Sequence, residues 1–180
     1  MSDGENLYRS ILIAPADDAP RLVYADWLEE HGDLERAELI RHMVHFPRDR
    51  AGYRPPNPGS VYWPDAPTWV GYGVRRGFVA EIGAPTGPFL AFVREIFLRH
   101  PITTVHLIDR HPGPRADGVF AVMTAARPDL PHHWPVELFP DAPDGTTRRF
   151  PSAGRAMRVL SDAAVAFGRR VAGLPPLPLN

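Results

Sequence analysis

The chain of 180 residues contains no cysteine. Disulfides, cysteine nucleophiles and thiolate zinc sites are therefore excluded, and the absence fits a reducing interior. Lysine is missing as well: all 20 basic residues are arginine. That rules out a lysine Schiff base, a P-loop lysine and a kinase-type lysine. A GC-rich gene accounts for the bias, together with the abundant Ala, Pro and Gly. Wherever arginines cluster, they favour forked contacts with carboxylate or phosphate. Long apolar runs are also lacking. The start Met1-Ser2-Asp3-Gly4-Glu5-Asn6 is acidic, and Ile11-Leu12-Ile13-Ala14 is too short for a signal-peptide core. Nothing approaches membrane-spanning length. The expectation is a cytoplasmic protein with no membrane partner. A net charge of −1 gives no long-range attraction to polyanions.

What is present begins with helical punctuation. Leu7, Tyr8, Ile11 and Leu12 at helical spacing predict a helix from Glu5 to Ile13, stopped by Pro15. Asp17 or Asp18 then caps a second helix, with Pro20 tolerated in its first turn. Its apolar face is read as Pro20, Val23, Tyr24, Trp27 and Leu28, which makes Tyr24 and Trp27 core residues. Gly32 stops it. A third helix follows from Leu34 to Val44, burying Leu39, Ile40 and Met43. From Pro47 to Pro67 prolines and glycines break every period, so a linker or long loop is expected, partly packed through its aromatic residues.

Beyond it, Gly77 to Gly83 alternates as a strand, Thr86 to Arg99 reads as a helix with Phe89, Phe92, Val93, Ile96 and Phe97 on one face, and Ile102 to Ile108 reads as a second strand. This is a right-handed βαβ crossover by default. The spacing of the two strands also suits the leucine-rich-repeat class. Val119 to Thr124 predicts a further strand and Val136 to Phe139 a turn. Ser152 opens a long last helix, with Ala156, Val159, Leu160, Ala163, Ala164, Phe167 and Val171 facing inward, and Gly173 ends it. The tail Leu174-Pro175-Pro176-Leu177-Pro178-Leu179 should lie extended on the surface. The fold class is thus α/β: an N-terminal three-helix unit capping a short leucine-rich-repeat-like strand–helix–strand body, with a long C-terminal helix. The divisions are 1–46 for the helical unit, 47–68 for the linker and 69–180 for the body.

The run Pro20-Arg21-Leu22-Val23-Tyr24-Ala25-Asp26-Trp27-Leu28-Glu29-Glu30 carries a resemblance. It is preceded by an aspartate-rich turn and followed by Gly32-Asp33 and then Arg36-Ala37-Glu38. Over residues 10 to 41 the chain resembles the bacterial repeat-companion domain family. Arg76-Gly77-Phe78-Val79, Phe89-Leu90, Pro101-Ile102 and the stretch from Gly168 to Leu177 look similar as well. The resemblance implies a domain that commonly sits at the start of proteins with leucine-rich-like repeats and has no established catalytic residues. This chain departs from long members in having room for only one full strand–helix–strand unit. Its third helix also ends Arg41-His42-Met43-Val44 where the family often has a Leu-Gln-type finish.

No reactive set stands out. Asp26 and Glu30 lie one helical turn apart, but with Glu29 they fit the solvated face of a helix, and nothing completes a catalytic site. His106, His111 and one of His132 or His133 offer a zinc reading, without any two histidines on one helical face. A His106–Asp109 pair with Ser152 or Ser161 as nucleophile lacks the Gly-x-Ser-x-Gly elbow. Gly71-Tyr72-Gly73 precedes a strand and so fails as a dinucleotide loop. Charge is uneven: residues 1–40 carry a net −7 and residues 145–180 a net +5. Either the two ends neutralise each other, or the second presents a basic face.

The leading expectation is a non-catalytic protein–protein interaction module, an adaptor or accessory subunit, binding another protein and using no cofactor. Its candidate interaction residues are Asp26, Glu29, Glu30, Arg41, Arg148, Arg149, Arg155, Arg158, Arg169 and Arg170. The alternative is a nucleic-acid-associated accessory protein using the C-terminal arginines. A histidine-dependent metal hydrolase is third.

Overall fold

The computed structural model describes residues 2–46, 63–110, 113–114, 120–125, 133–142 and 144–178. The chain opens with α1 (Asp3–Ile13), α2 (Ala19–Glu30) and α3 (Leu34–His45). Ser2 begins α1 with a capping box: its hydroxyl accepts from the Glu5 N–H, and the Glu5 carboxylate accepts from the Ser2 N–H at 2.6 Å. Before α2 the two candidate caps divide the work. Asp17 accepts from the Ala19 N–H at 3.0 Å, and Asp18 occupies the cap position without a side-chain bond. Gly32, at φ +89°, reverses the chain, and the Asp33 N–H returns to the Leu28 carbonyl at 2.9 Å. This is the left-handed stop that the sequence predicts there.

A hairpin follows, formed by β1 (Gly71–Arg75) and β2 (Phe78–Ala84). Its two-residue turn, Arg76-Gly77, has positive φ at both positions, 51° and 83°, which matches the twist of the strands it joins. A Cβ on Gly77 would also lie 2.8 Å from Ile40 of α3. β2 continues into α4 (Thr86–Arg99) and then β3 (Thr104–Leu107), which pairs parallel to β2. The strand–helix–strand unit is present, within a mixed three-stranded sheet of order β1-β2-β3. In the second sheet, β5 (Phe120–Thr124) pairs antiparallel with β4 (Gly113–Pro114) and β7 (Thr147–Phe150), and parallel with β6 (His133–Trp134). A 3₁₀ turn spans Val136–Leu138. The last helix, α5 (Ala153–Val171), is capped by the Ser152 hydroxyl accepting from the Arg155 N–H. Gly173, at φ +69°, closes it, with the Leu174 N–H returning to the Arg169 carbonyl.

The fold is therefore α/β with N-terminal helices and a long C-terminal helix. α5 packs against β3, α4, the 3₁₀ turn and β7 and so joins the two sheets. The larger core gathers Phe89, Phe97, Ile102, Leu107, Trp134 and Leu160 from these elements. The smaller core holds Ile11, Ala25, Leu28, Ala37 and Ile40 of the helices together with Phe78 of β2. Some face assignments change. On α2, Val23 is half exposed, and Arg21, Ala25 and Leu28 form the buried line. Phe92 and Val171 are also exposed, although Phe92 lies against Trp69 with ring centroids 5.7 Å apart. Of the segment 47–68, residues 47–62 lie outside the described residues. Trp63 is buried, tilted against His100 at 4.4 Å and Tyr72 at 5.8 Å. The tail is extended but not free, since Leu174 and Leu177 pack on the larger core.

Two predictions follow from this packing. A Cβ added at Gly168 of α5 would lie 2.2 Å from Cε2 of Phe97, a fully buried ring of α4. Gly168→Ala should therefore destabilise the protein by roughly 1–3 kcal/mol in urea melts, although alanine is the better helix former. His100 is 5% exposed. Burial first, then the charge of Arg99, pushes its pKa down to about 4, against the pull of Asp65. The folded state thus holds His100 neutral at pH values where the unfolded chain protonates it. Its contribution is complete above about pH 6.5 and declines as pH falls toward 4, by at most roughly 3 kcal/mol. The stability difference between the wild type and His100→Gln should shrink with that sign across the window, as followed by denaturant melts at successive pH values.

Candidate binding cleft

The most unusual chemistry lies where α1 gives way to α2. Pro15 stops α1, so the turn must satisfy its carbonyls from elsewhere. Arginines do this. Arg169 of α5 donates from Nη1 to the Leu12 carbonyl at 3.1 Å and from Nη2 to the Ile13 carbonyl at 2.8 Å. Its Nε donates to the Pro175 carbonyl of the tail at 2.6 Å. Arg21 donates from Nη2 to the Pro15 carbonyl at 2.7 Å and from Nη1 to the Asp17 carbonyl at 2.6 Å. Arg76, at the hairpin tip, donates to the Ala16 carbonyl at 2.5 Å. The remaining carbonyl, of Ala14, accepts from the Asp17 N–H. All six carbonyls from Leu12 to Asp17 are thereby engaged.

Arg21 and Arg169 are each only 1% exposed. Burial, and then the charge of Arg76, pushes the Arg21 guanidinium down to about 10, opposed by Asp18 and Asp17. Burial lowers Arg169 too. Both remain cations at neutral pH. Arg21 also lies 5.5 Å from the centre of the Phe78 ring, and Arg36 lies 5.7 Å from it. Arg21 and Arg169 line a cleft of about 1190 Å³ between the helical unit, the hairpin, α5 and the tail. Arg75, Arg76 and Arg170 add to its basic lining, and Glu81 and Asp162 are its acids. Arg75 pairs with Glu81, and Arg76 Nε lies 3.3 Å from Asp18. Met43, Ala80, Val165 and Leu177 supply apolar wall.

The residues nominated from sequence fall into three groups. Arg41 of α3 bridges Asp26 at 2.6 Å and Glu29 at 2.5 Å on α2, so these three serve as an exposed helix–helix clamp. Glu30 is exposed nearby. Arg149, Arg155, Arg158 and Arg170 are exposed, and Arg148 is half-buried against the Phe139 ring, its guanidinium 4.8 Å from the centre. Arg169 is the correction. Its expected place on the polar side of the last helix is wrong, because it follows the buried phase of Ala164 and Val165 and turns inward. It does bring the two ends of the chain together, but its partners are carbonyls of α1 rather than the acidic side chains. Arg21 was not nominated at all. The signal was its spacing of four and seven residues from Ala25 and Leu28, which puts a cation in the buried stripe.

The catalytic and metal candidates are drawn into the fold's own bonds. Ser152 caps α5, and Ser161 Oγ accepts from the Val105 N–H of β3 at 3.1 Å. Asp109 accepts from both the N–H and the hydroxyl of Thr86, at 2.9 and 2.7 Å, at the start of α4. Arg110 then links Thr86 to Nε2 of the buried His133 at 3.3 Å. His106 is exposed, and His111 and His132 lie outside the described residues. Among the described residues no three His, Asp or Glu side chains converge as metal ligands. Tyr24 and Trp27, expected in the core, are partly buried and line a second groove of about 630 Å³ with Tyr8, Leu12 and Leu98. The Tyr8 hydroxyl donates to the Arg99 carbonyl at 2.7 Å, and burial pushes its pKa up to about 12.

Compared with known proteins, the chain matches no family model, no curated protein and no solved structure. The cleft therefore stands on its own geometry. Arg169→Leu strips the donors from three carbonyls in a buried place and should cost roughly 3 kcal/mol in urea melts. Arg170→Leu, one residue on and exposed, should change stability by less than about 0.5 kcal/mol.

Proposed function

We propose that this chain is a non-catalytic protein–protein interaction module, an adaptor or accessory subunit of a larger complex, and that it docks its partner in the arginine-lined cleft. The observation that carries this reading is the cleft itself, which combines basic and apolar lining on groups already fixed by the fold. Arg169 and Arg21 are held by backbone bonds, so little side-chain entropy is left to lose on association. The polar groups that a hydrolase would draw on, Ser152, Ser161 and Asp109, are committed to caps and strand edges. The resemblance of residues 10–41 to the repeat-companion family supports the same reading, because that family accompanies repeat proteins. No helix among the described residues is long and apolar enough to cross a membrane.

A second reading, nucleic-acid association, is favoured by Arg148, Arg149, Arg155 and Arg158. None of the four makes an ion pair among the described residues. One pair of measurements separates the two. Affinity purification of the tagged protein from native cells should return one partner protein in stoichiometric amount, and its absence would remove the adaptor reading. In fluorescence anisotropy, short RNA and DNA should bind more weakly than about micromolar at near-physiological salt. Tighter binding that disappears in Arg149→Glu/Arg155→Glu/Arg158→Glu would put the nucleic-acid reading first.

A further inference from the structure

Folding leaves the cleft with more positive charge than its lining acids answer. Arg21 and Arg169 are wholly buried, and the bonds they make are to carbonyl oxygens. Neither lies within ion-pair distance of a carboxylate among the described residues, and Nε of Arg21 has no hydrogen-bond partner there. Carbonyl dipoles solvate a guanidinium but do not cancel its charge. Arg170, at the open side, reaches the Glu137 carbonyl only at a long 3.5 Å and rests against the Phe167 ring. Glu81 is taken by Arg75 and Asp18 by Arg76. Against Arg21, Arg169 and Arg170, Asp162 is the one lining acid left. Low-dielectric walls concentrate such a field within the cleft rather than spreading it over the surface.

The remaining lining narrows the occupant. Met43, Ala80, Val165 and Leu177 lie beside the cations, so an occupant gains by alternating acidic and aliphatic groups. We propose that the cleft binds an extended acidic segment of a partner protein, its carboxylates directed at Arg170 and its aliphatic side chains on the apolar wall. Arg21 and Arg169 act from beneath by their field, since their buried atoms are not reachable. Burial alone lowers the Arg169 guanidinium, in agreement with a cation that lacks a counter-ion, whereas Asp18 and Asp17 partly offset the charge of Arg21. The wall favours a peptide over a nucleic acid, because aliphatic pockets offer no ring for a base to stack on. This assignment rests on the adaptor reading and specifies its partner.

The test uses the full chain and a fluorescein-labelled nonapeptide of alternating Glu and Leu, followed by anisotropy. The Glu-Leu peptide should bind at least about tenfold more tightly than its Ser-Leu counterpart, and a Lys-Leu peptide should not bind. Arg170→Glu, an exposed change that preserves the melting temperature, should weaken binding by about tenfold. Asp162→Asn removes the competing acid and should tighten it by about threefold. Equal binding of the Glu-Leu and Ser-Leu peptides, or affinities unmoved by both substitutions, overturns the assignment. So does a short oligothymidylate that outcompetes the peptide for the cleft. If the native partner is still retained by the Arg170→Glu protein while the peptide does not bind, the cleft assignment fails and the adaptor reading stands. If the peptide behaves as expected but no partner is ever recovered, the adaptor reading fails and the acidic-segment site stands.

Discussion

A proline-stopped helix leaves carbonyl oxygens that must be paired or hydrated, and here the following turn lies under other elements. Three arginines from three places in the chain answer it: Arg21 from the next helix, Arg76 from the hairpin tip and Arg169 from the last helix. Each brings several N–H groups in a planar fork, so one side chain can reach two or three acceptors at once. A lysine ammonium in the same place would offer a single point of charge on a flexible stem. The negative end of the α1 dipole adds to the attraction. The contact fixes where α1, the hairpin and α5 stand relative to one another, and the rest of the packing is arranged around that relation.

Phe78 extends the same arrangement into the core. It is the first residue of β2, yet it is buried among Ile11, Ala25, Leu28 and Ile40 of the helices. Arg21 and Arg36 both lie near its ring, and Tyr8 and Tyr24 meet it at 5.9 and 6.2 Å. Helical unit and hairpin therefore share an interior and do not merely touch. Arg21, one of the two arginines at this ring, also charges the cleft. Carbonyl pairing takes up most of the N–H groups of Arg21 and Arg169 but not their positive field, so the device that secures the fold also leaves an electrostatic demand at the surface.

Much of the architecture was legible in the sequence because it is written in local rules. Thr86–Arg99 is bounded by Pro85 and Pro101, Ser152 places a hydroxyl that can cap at the start of a long amphipathic run, and Gly32 and Gly173 each fall directly after the cap residue of a helix. β1 was not legible. Gly71 and Gly73 remove the alternation that marks a strand, and a bulge between Gly73 and Val74 breaks its register. β7, with Arg148 and Arg149 at its centre, reads as a charged surface stretch. The cleft was hidden for a different reason. Arginine is assigned to the polar face by habit, and only tertiary contact shows that carbonyls more than a hundred residues away are waiting for it. Of the arginines of β7 and α5, Arg149, Arg155, Arg158 and Arg170 are exposed, and the sequence alone did not decide between exposure and neutralisation by the acidic helices.

The partnership of Arg169 with Leu12 and Ile13 spans more than 150 positions of chain. Emerging from a ribosome, the first three helices have their own apolar stripe to close on, but the last turn of the first one lacks the donors of Arg169 until more than 150 further residues have been made. Loop-closure entropy makes such a distant contact a late event. During that interval the carbonyls of Leu12 and Ile13 must take their hydrogen bonds from water instead of from Arg169. Arg21 and Arg76 can fasten the turn earlier, but a ribosome stalled before Arg169 would release a bundle in which the carbonyls of Leu12 and Ile13 lack their arginine.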